Sequence, residues 1–291
     1  MANPRTLALT ALAMAAFAAN SLLCRIALRQ TGIDAASFTT IRLVSGAATL
    51  WLIVRSRRRV QSGGGNWGSA AALFVYAAGF SFAYISLPAS TGALLLFGAV
   101  QATMIGYGFW RGERLRLPQL AGLALAIGGL ALLLLPGLSA PPLAGALLML
   151  GAGMAWGLYS LRGRGAGDPT RVTAGNFIRA APLAVVLSLV LHARAAVNPA
   201  GIACALLSGA LASGIGYALW YSVLPALKSM HAATVQLSVP ILVAIGGIFF
   251  LGEAFKLRLM LAAAAILGGI ALVIFERHDG PATAQAAPAT D

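Results

Sequence analysis

The chain carries little charge. Asp, Glu, Lys and Arg make up 9% of its 291 residues, whereas a soluble domain carries about a quarter. Apolar residues make up 59% of the chain, and its mean hydropathy is +0.87. This balance excludes an ordinary soluble domain and favours an integral membrane protein.

Further absences narrow the function. The chain has three histidines, and its apolar runs contain no H-E-x-x-H motif, no paired aspartates and no G-x-S-G motif. We therefore expect no enzyme activity, no cofactor and no metal. Two cysteines, Cys24 and Cys204, are too few for a disulfide framework and are expected to be packing residues. The formal charge of +13 is spread over short gaps between apolar runs, so we expect no nucleic acid partner.

The sequence repeats itself. Residues 79–88 read G-F-S-F-A-Y-I-S-L-P and residues 216–225 read G-Y-A-L-W-Y-S-V-L-P, so Gly, Tyr and Leu-Pro recur in one register. A second match runs without a gap between segments 140 residues apart. It pairs Gly112-Glu113 and Gly128-Gly129 with Gly252-Glu253 and Gly268-Gly269. A repeat of this length in so apolar a chain predicts a duplicated membrane bundle.

The apolar runs predict ten transmembrane helices, because each is close to the ~20 residues that cross a bilayer. The predicted spans are 6–28, 35–54, 67–87, 90–110, 117–135, 143–161, 171–191, 199–224, 230–251 and 257–275. We therefore expect an all-α integral membrane protein. Its domains are a first five-helix repeat at 1–138, a second at 139–276 and a disordered cytoplasmic tail at 277–291.

The basic residues predict the orientation. Thirteen lie in loops on the side of the N-terminus, and five lie in the opposite loops and span ends. Lys and Arg concentrate in cytoplasmic loops, so we expect both termini in the cytoplasm and the protein in the inner membrane. Because each half has five spans, the second half enters the membrane from the opposite face. Inverted repeats are typical of alternating-access transporters with a substrate site near the midplane.

The Leu-Pro ends of spans 3 and 8, the Gly-Glu turns and the Gly-Gly pairs resemble the drug/metabolite transporter superfamily, in its ten-helix members with two EamA domains. Ala155-Trp156-Gly157 is family-like, whereas Ala16-Phe17-Ala18 lacks the Trp-Gly that is common in the first span. Among these proteins the chain is similar to the YddG-type amino-acid exporters. The resemblance implies export of amino acids, with neutral and aromatic ones favoured, or of related small metabolites. It also implies that spans 1–4 and 6–9 line a central cavity, and that spans 5 and 10 support them from outside.

The seven acidic residues all fall in predicted loops, span ends or the tail. Because proton-coupled carriers commonly hold a carboxylate inside the membrane, this placement favours facilitated export. Two alternatives stay open. One is a proton-coupled antiporter of the same superfamily, in which His231 relays the proton, and the other is a channel-like pore. We expect a small-molecule substrate and the lipid bilayer as partners, and a monomer or a weak dimer.

Arg42 and Arg179 lie inside the second span of each half, about two turns from its start. A guanidinium within a span is costly, so it usually faces a cavity, forms a pair or snorkels to the interface. The bidentate geometry of Arg suits a substrate carboxylate. Hydrogen bonds to neighbouring helix carbonyls are the alternative role.

A cavity for a zwitterion needs a few convergent polar groups between apolar walls. The candidates are polar residues isolated in apolar runs and the aromatic residues near them. They are Asn20, Gln101, Asn176, Ser213 and Gln236 together with Tyr76, Phe80, Tyr84, Trp156, Tyr159 and Tyr217. Interhelical hydrogen bonds and interfacial packing are the alternative roles, and Gln101 and Tyr217 are the foremost candidates for substrate contact.

Five further residues are expected to shape turns. Pro88 and Pro225 should end spans 3 and 8 and, as a matched pair of tight connections, serve as hinges. Pro240, inside span 9, should permit a kink. Glu113 and Glu253 should cap the helix that follows each of them or pair with the basic residues of the same turn.

Overall fold

The structure is a computed structural model that describes residues 4–57, 63–112, 116–135, 140–163, 166–227, 235–254 and 256–276. Within these ranges it contains ten helices and no strand. They are α1 (Pro4–Ile26, continued by a π-helical turn at Ala27–Thr31), α2 (Ala35–Ser56), α3 (Trp67–Tyr84), α4 (Ala89–Trp110), α5 (Leu117–Leu134), α6 (Leu143–Arg162), α7 (Pro169–Val190), α8 (Pro199–Leu206, a π-helical stretch at Leu207–Ile215, then Gly216–Val223), α9 (Ser238–Leu251) and α10 (Leu257–Glu276). The all-helical prediction is confirmed.

Eight of these helices are long and apolar enough to cross a membrane. The other two are α3 and α9. α3 has 18 residues, and its tyrosines and serines lower its hydropathy. α9 has 14 residues from Ser238, and residues 230–234 of the predicted ninth span lie outside the described residues.

Four helices begin at a side chain that caps a free backbone N–H, as helix N-termini require. Asp34 caps α2 and Asp168 caps α7, while Asn66 caps α3 and Asn198 caps α8. Each carboxylate or amide oxygen accepts from the N–H three residues on, at 2.7–2.9 Å. The second and third helices of each half therefore start with the same kind of cap.

The helices pack in a regular scheme. α2 packs against α7, and α5 packs against α10. α6 packs against α3 and α4, while α1 packs against α8 and α9. α5 and α10 contact the remaining helices mainly through α4, so this pair lies at the side of the bundle, as expected for supporting helices.

Glycines let α5 and α10 approach closely, as small residues do between helices in membranes. A Cβ on Gly129 would come within 3.0 Å of the Ala262 carbonyl oxygen, and one on Gly269 would clash with the Gly122 carbonyl. A Cβ on Gly128 or Gly268 would meet no atom within 4 Å. The predicted close packing therefore applies to one glycine of each Gly-Gly pair.

The three prolines that were expected to shape turns lie at helix boundaries, whereas Pro182 lies inside α7. α3 ends at Tyr84, and Pro88 is the N-cap of α4. Pro225 lies in a 3₁₀ turn that follows α8. Pro240 lies in the first turn of α9, where a missing N–H removes no helical hydrogen bond. A turn at Leu237 separates α9 from helical residues 235–236, so the interruption precedes the proline.

Glu253 differs from its predicted role. Its Oε1 accepts from the backbone N–H of Ala89 at 2.7 Å, and it pairs with Arg25 at 3.8 Å. It therefore caps α4, a helix of the other half, and does not cap α10. The reason is local, because Pro88 offers no side-chain cap to the free N–H groups at the start of α4. The matching turn residue, Glu113, lies outside the described residues.

Candidate functional site

A small cavity lies at the centre of the bundle, among α1, α2, α3, α4, α6 and α8. Its volume is about 10 Å³, which is the space of about one water molecule. The lining residues are Phe17, Asn20, Ser21, Arg42, Tyr76, Phe80, Leu96, Phe97, Trp156, Ala212, Ser213 and Tyr217. They come from both halves of the chain, so the cavity lies between the halves.

Arg42 is the only charged side chain among the described residues that line this cavity. It is 2% exposed. Its Nη2 donates to the Tyr76 hydroxyl at 3.0 Å, and the guanidinium lies 4.9 Å from the ring centre of Phe80. Its Nε and Nη1 are buried without a hydrogen-bond partner. No carboxylate among the described residues pairs with it.

The Tyr76 hydroxyl joins three helices. It accepts from Arg42 of α2, and it also accepts from the Asn20 amide of α1 at 3.4 Å. The Asn20 carbonyl oxygen in turn accepts from the Ser208 hydroxyl of α8 at 2.6 Å. Because the Tyr76 oxygen accepts twice and donates to no described residue, its own proton is available to a further acceptor.

Aromatic rings form the walls. Trp156 stacks on Tyr76 with ring centres 5.1 Å apart, and it meets Phe97 edge-on at 5.5 Å. Phe17 lies 5.5 Å from Tyr217. These rings bring large apolar surfaces and π faces to the cavity, and they leave almost no free volume in this conformation.

The π-helical stretch of α8 delivers Ala212 and Ser213 to the cavity. Such stretches are frequent at functional sites because they re-aim side chains. Gly209, within the stretch, lies directly against α2, and a Cβ there would clash with the Ser45 hydroxyl and the Arg42 carbonyl. The absence of a side chain at Gly209 therefore permits α8 to lie beside Arg42.

Seven of the thirteen predicted cavity residues line the cavity: Asn20, Arg42, Tyr76, Phe80, Trp156, Ser213 and Tyr217. Tyr84 lies behind them, with its ring edge-on to Phe80 at 4.7 Å and its hydroxyl donating to the Ala89 carbonyl. Gln101 is buried one turn beyond Phe97, and Gln236 is partly buried next to the turn before α9. Neither glutamine belongs to the lining.

Tyr159 and Asn176 belong to a separate polar cluster between α6 and α7. The Tyr159 hydroxyl donates to Thr173 at 3.3 Å, and the Thr173 hydroxyl donates to Tyr221. The Asn176 oxygen accepts from the backbone N–H of Asn66 at 2.9 Å. This cluster holds the loop before α3 against α7. Tyr159 and Asn176 therefore form hydrogen bonds between elements, which was the alternative to lining the cavity.

Arg179 lies away from the cavity. Its Nη1 donates to the carbonyls of Gly64 and Gly175 at 2.6 and 2.9 Å. It lines a second, larger pocket between α2 and α7. The structure therefore separates two arginines for which the sequence predicted the same role.

Five lining residues were missed from the sequence. Phe17, Ser21, Leu96, Phe97 and Ala212 are apolar or small residues on helices that are apolar all round. Helical spacing could have found Phe17, because it lies three residues before Asn20 and therefore on the same face of α1.

The acidic side chains that the structure describes lie at helix ends. Asp34, Asp168 and Glu253 all lie outside the cavity lining. Burial raises the pKa of Asp34, but hydrogen bonds from Ser37, Ala196 and Ala36 outweigh it, so the pKa lies below its ordinary value of 3.8. Among the described residues no three His, Cys, Asp or Glu side chains group as a metal site would require.

Comparisons with known proteins agree with this architecture. The family model of the EamA-like transporter family matches residues 143–275. An uncharacterised protein of Pseudomonas aeruginosa, PA1977, is 59% identical over 278 residues, which cover 95% of this chain and 97% of that protein. A solved crystal structure shares the fold, with a TM-score of 0.66 and 19% identity over 94% of this chain and 99% of its own.

Part of the chain is also similar to the threonine/homoserine exporter RhtA. The Salmonella typhimurium protein is 36% identical over 151 residues, 49% of this chain and 50% of RhtA. The Escherichia coli K12 protein is 36% identical over 132 residues, 43% of each. The chain thus matches half of RhtA or less. It belongs to the EamA-like transporters of the drug/metabolite transporter superfamily. It is a multi-pass membrane transporter rather than an enzyme.

Proposed function

We propose that this transporter exports neutral amino acids through the central cavity by alternating access. The observation that carries the proposal is Arg42, a buried guanidinium that lines the cavity with two unpartnered nitrogens. A cation in this position is costly unless an anion reaches it. The carboxylate of an amino acid supplies that anion, and it accepts two parallel N–H···O bonds from Arg.

The neighbours of Arg42 suit the rest of an amino acid. The free proton of the Tyr76 hydroxyl gives the carboxylate a second donor. The ring faces of Trp156 and Tyr217 offer cation–π contact to an ammonium group and apolar contact to a side chain. The partial similarity to RhtA, a threonine/homoserine exporter, also supports an amino-acid substrate.

The cavity must open for transport, because about 10 Å³ holds no amino acid. Rocking of the two halves, which both contribute to the lining, would separate the aromatic walls toward each membrane face in turn. The packing scheme supports such a motion. Each helix has a counterpart five places along the chain, so that α1 corresponds to α6. When every helix is replaced by its counterpart, the contacts of α6 with α3 and α4 become the contacts of α1 with α8 and α9.

The same replacement leaves the α2–α7 contact and the α5–α10 contact unchanged, because each of these pairs consists of a helix and its counterpart. It also maps the Asp caps of α2 and α7 and the Asn caps of α3 and α8 onto each other. These relations support two inverted five-helix repeats, at 1–138 and 139–276. Together with the distribution of basic residues, they support an inner-membrane protein with both termini in the cytoplasm.

Transport is proposed to be facilitative. The described acidic side chains lie at helix ends and away from the cavity lining, whereas proton-coupled carriers commonly use a carboxylate inside the membrane. His231, the alternative relay, lies outside the described residues.

A second candidate is export of small monocarboxylates. The described lining holds one guanidinium and no carboxylate, so a monoanion would neutralise the site, whereas a zwitterion leaves it with one positive charge. Ring faces can hold an ammonium only through weaker cation–π contact.

Flux measurements in proteoliposomes test the proposal. Labelled amino acids and monocarboxylates are loaded separately, with and without an imposed proton gradient. Saturable, cross-competed flux of neutral amino acids without the gradient supports the first candidate, and flux of monocarboxylates alone supports the second. Flux that requires the gradient contradicts facilitated transport, and unsaturable flux points to a channel.

A further inference from the structure

The second pocket lies at one end of the α2–α7 contact, and none of its described lining residues lines the central cavity. Its volume is about 470 Å³. Its walls come from the last turns of α2, from the loop before α3 and from the first turns of α7. The lining residues that matter here are Trp51, Arg55, Arg57, Asp168, Arg171 and Arg179.

Positive charge dominates this pocket. Its described lining holds four guanidinium groups and one carboxylate. That carboxylate is already engaged, because Asp168 pairs with Arg57 at 3.4 Å and accepts from the backbone N–H of Arg171 at 2.7 Å. Arg55, Arg171 and Arg179 have no carboxylate partner among the described residues. A concave site with this excess of positive charge attracts anions.

Arg179 is held in place by the backbone. Its Nη1 donates to the carbonyls of Gly64 and Gly175, while its Nε and Nη2 donate to no acceptor among the described residues. Fixing the side chain in advance lowers the entropy lost when a ligand binds. Phosphate suits the remaining donors, because its oxygens accept bidentate hydrogen bonds from guanidinium groups.

The rim of the pocket is apolar. Trp51 is 48% exposed and Ile178 is 46% exposed, and both lie on the outer surface of a transmembrane helix. The Arg55 guanidinium lies 5.5 Å from the Trp51 ring centre. Tryptophan is enriched at the depth of lipid headgroups, so this pocket combines basic groups at headgroup level with an apolar edge.

We propose that this pocket binds the phosphate group of an anionic phospholipid. Arg171 and Arg179 donate to the phosphate oxygens, and the acyl chains run past Trp51 and Ile178. Basic pockets between transmembrane helices bind phosphorylated headgroups in this way. Free phosphate shares the headgroup chemistry but would leave the apolar rim unused.

Native mass spectrometry of the detergent-purified protein tests the proposal. Phosphatidylglycerol and phosphatidylcholine with identical acyl chains are titrated separately. We expect wild type to bind the anionic lipid about tenfold more tightly, the effect of roughly one charge-assisted hydrogen bond. The double variant Arg171→Gln/Arg179→Gln should lose this preference. The matched control Arg29→Gln/Arg194→Gln removes the same charge from exposed arginines outside the pocket and should keep it.

Inorganic phosphate is added in a second arm. If phosphatidylglycerol stays bound when phosphate is added, the pocket binds a lipid headgroup. Phosphate that binds wild type and displaces the lipid identifies the free ion, which overturns the lipid assignment. Unchanged lipid preference in the double variant, with thermal unfolding like that of wild type, overturns the pocket. Equal loss in the control variant also overturns it, because net charge alone would then explain the binding.

Discussion

Arg42 and Arg179 occupy corresponding helices of the two halves, yet their surroundings differ. Arg42 is buried in the central cavity with two nitrogens unpartnered. Arg179 donates to two backbone carbonyls and lines the pocket between α2 and α7. The difference teaches that corresponding helices of the two proposed repeats need not carry the same site. The first half supplies the charged group of the described cavity lining, and the second half contributes Trp156, Ala212, Ser213 and Tyr217 to the walls.

Removing the cavity charge should have the largest effect. Arg42→Gln deletes the guanidinium that is proposed to bind the substrate carboxylate, so transport efficiency should fall about 100-fold or more. Arg42→Lys keeps the charge without the planar fork and should retain part of the activity. Initial flux in proteoliposomes measures both variants. The exposed Arg194→Gln is the control, and an Arg42→Gln protein as active as that control would contradict the role of Arg42.

Crowding the contact between α2 and α8 should have the second-largest effect. Gly209→Ala places a methyl group against the Arg42 carbonyl, and overpacking of this kind costs about 1–3 kcal/mol. Thermal unfolding in detergent should show the loss. Gly128→Ala is the matched control, because its Cβ would meet no atom within 4 Å. Equal stability of the two variants would show that the close approach at Gly209 is unimportant.

Removing one hydroxyl should have a moderate effect. Tyr76→Phe leaves a third guanidinium nitrogen of Arg42 unpartnered and removes a donor from the cavity, so KM should rise about tenfold. Tyr84→Phe is the comparison variant, because that hydroxyl bonds to the Ala89 backbone behind the lining. A larger KM change in Tyr84→Phe than in Tyr76→Phe would be inconsistent with the site as described.

The smallest expected effect concerns the carboxylate of Asp34, which caps α2. The pKa of Asp34 is lowered in the folded protein, so its carboxylate stabilises the fold at pH values above its unfolded pKa. This contribution is lost as pH falls through the lowered folded pKa. The difference in thermal stability between wild type and Asp34→Asn, measured from about pH 6 to about pH 3, should become smaller toward the acidic end. A difference that stays constant with pH would mean that the charge of Asp34 does not matter.

The helices were predictable from the sequence because apolar runs end at proline and glycine clusters, and the bounds of α2, α4 and α6 agree within two residues. The polar part of the site was predictable because Asn20, Arg42 and Ser213 interrupt apolar runs. Phe97 and Leu96 were not predictable, since nothing in an all-round apolar helix tells which face points inward. The contact of Glu253 with α4 could not be predicted from the sequence either, because Glu253 and Ala89 are 164 residues apart in the chain.

The most direct test of the central claim is competition between an amino acid and its carboxamide for transport. Uptake of a labelled neutral amino acid is measured in proteoliposomes containing wild type or Arg42→Gln at raised substrate concentration, with unlabelled amino acid or amide as competitor. If Arg42 binds the carboxylate, the amino acid should compete about tenfold or more better than the amide for uptake by wild type. The two compounds should compete equally well for uptake by Arg42→Gln. An Arg42→Gln protein that still discriminates against the amide would contradict the account.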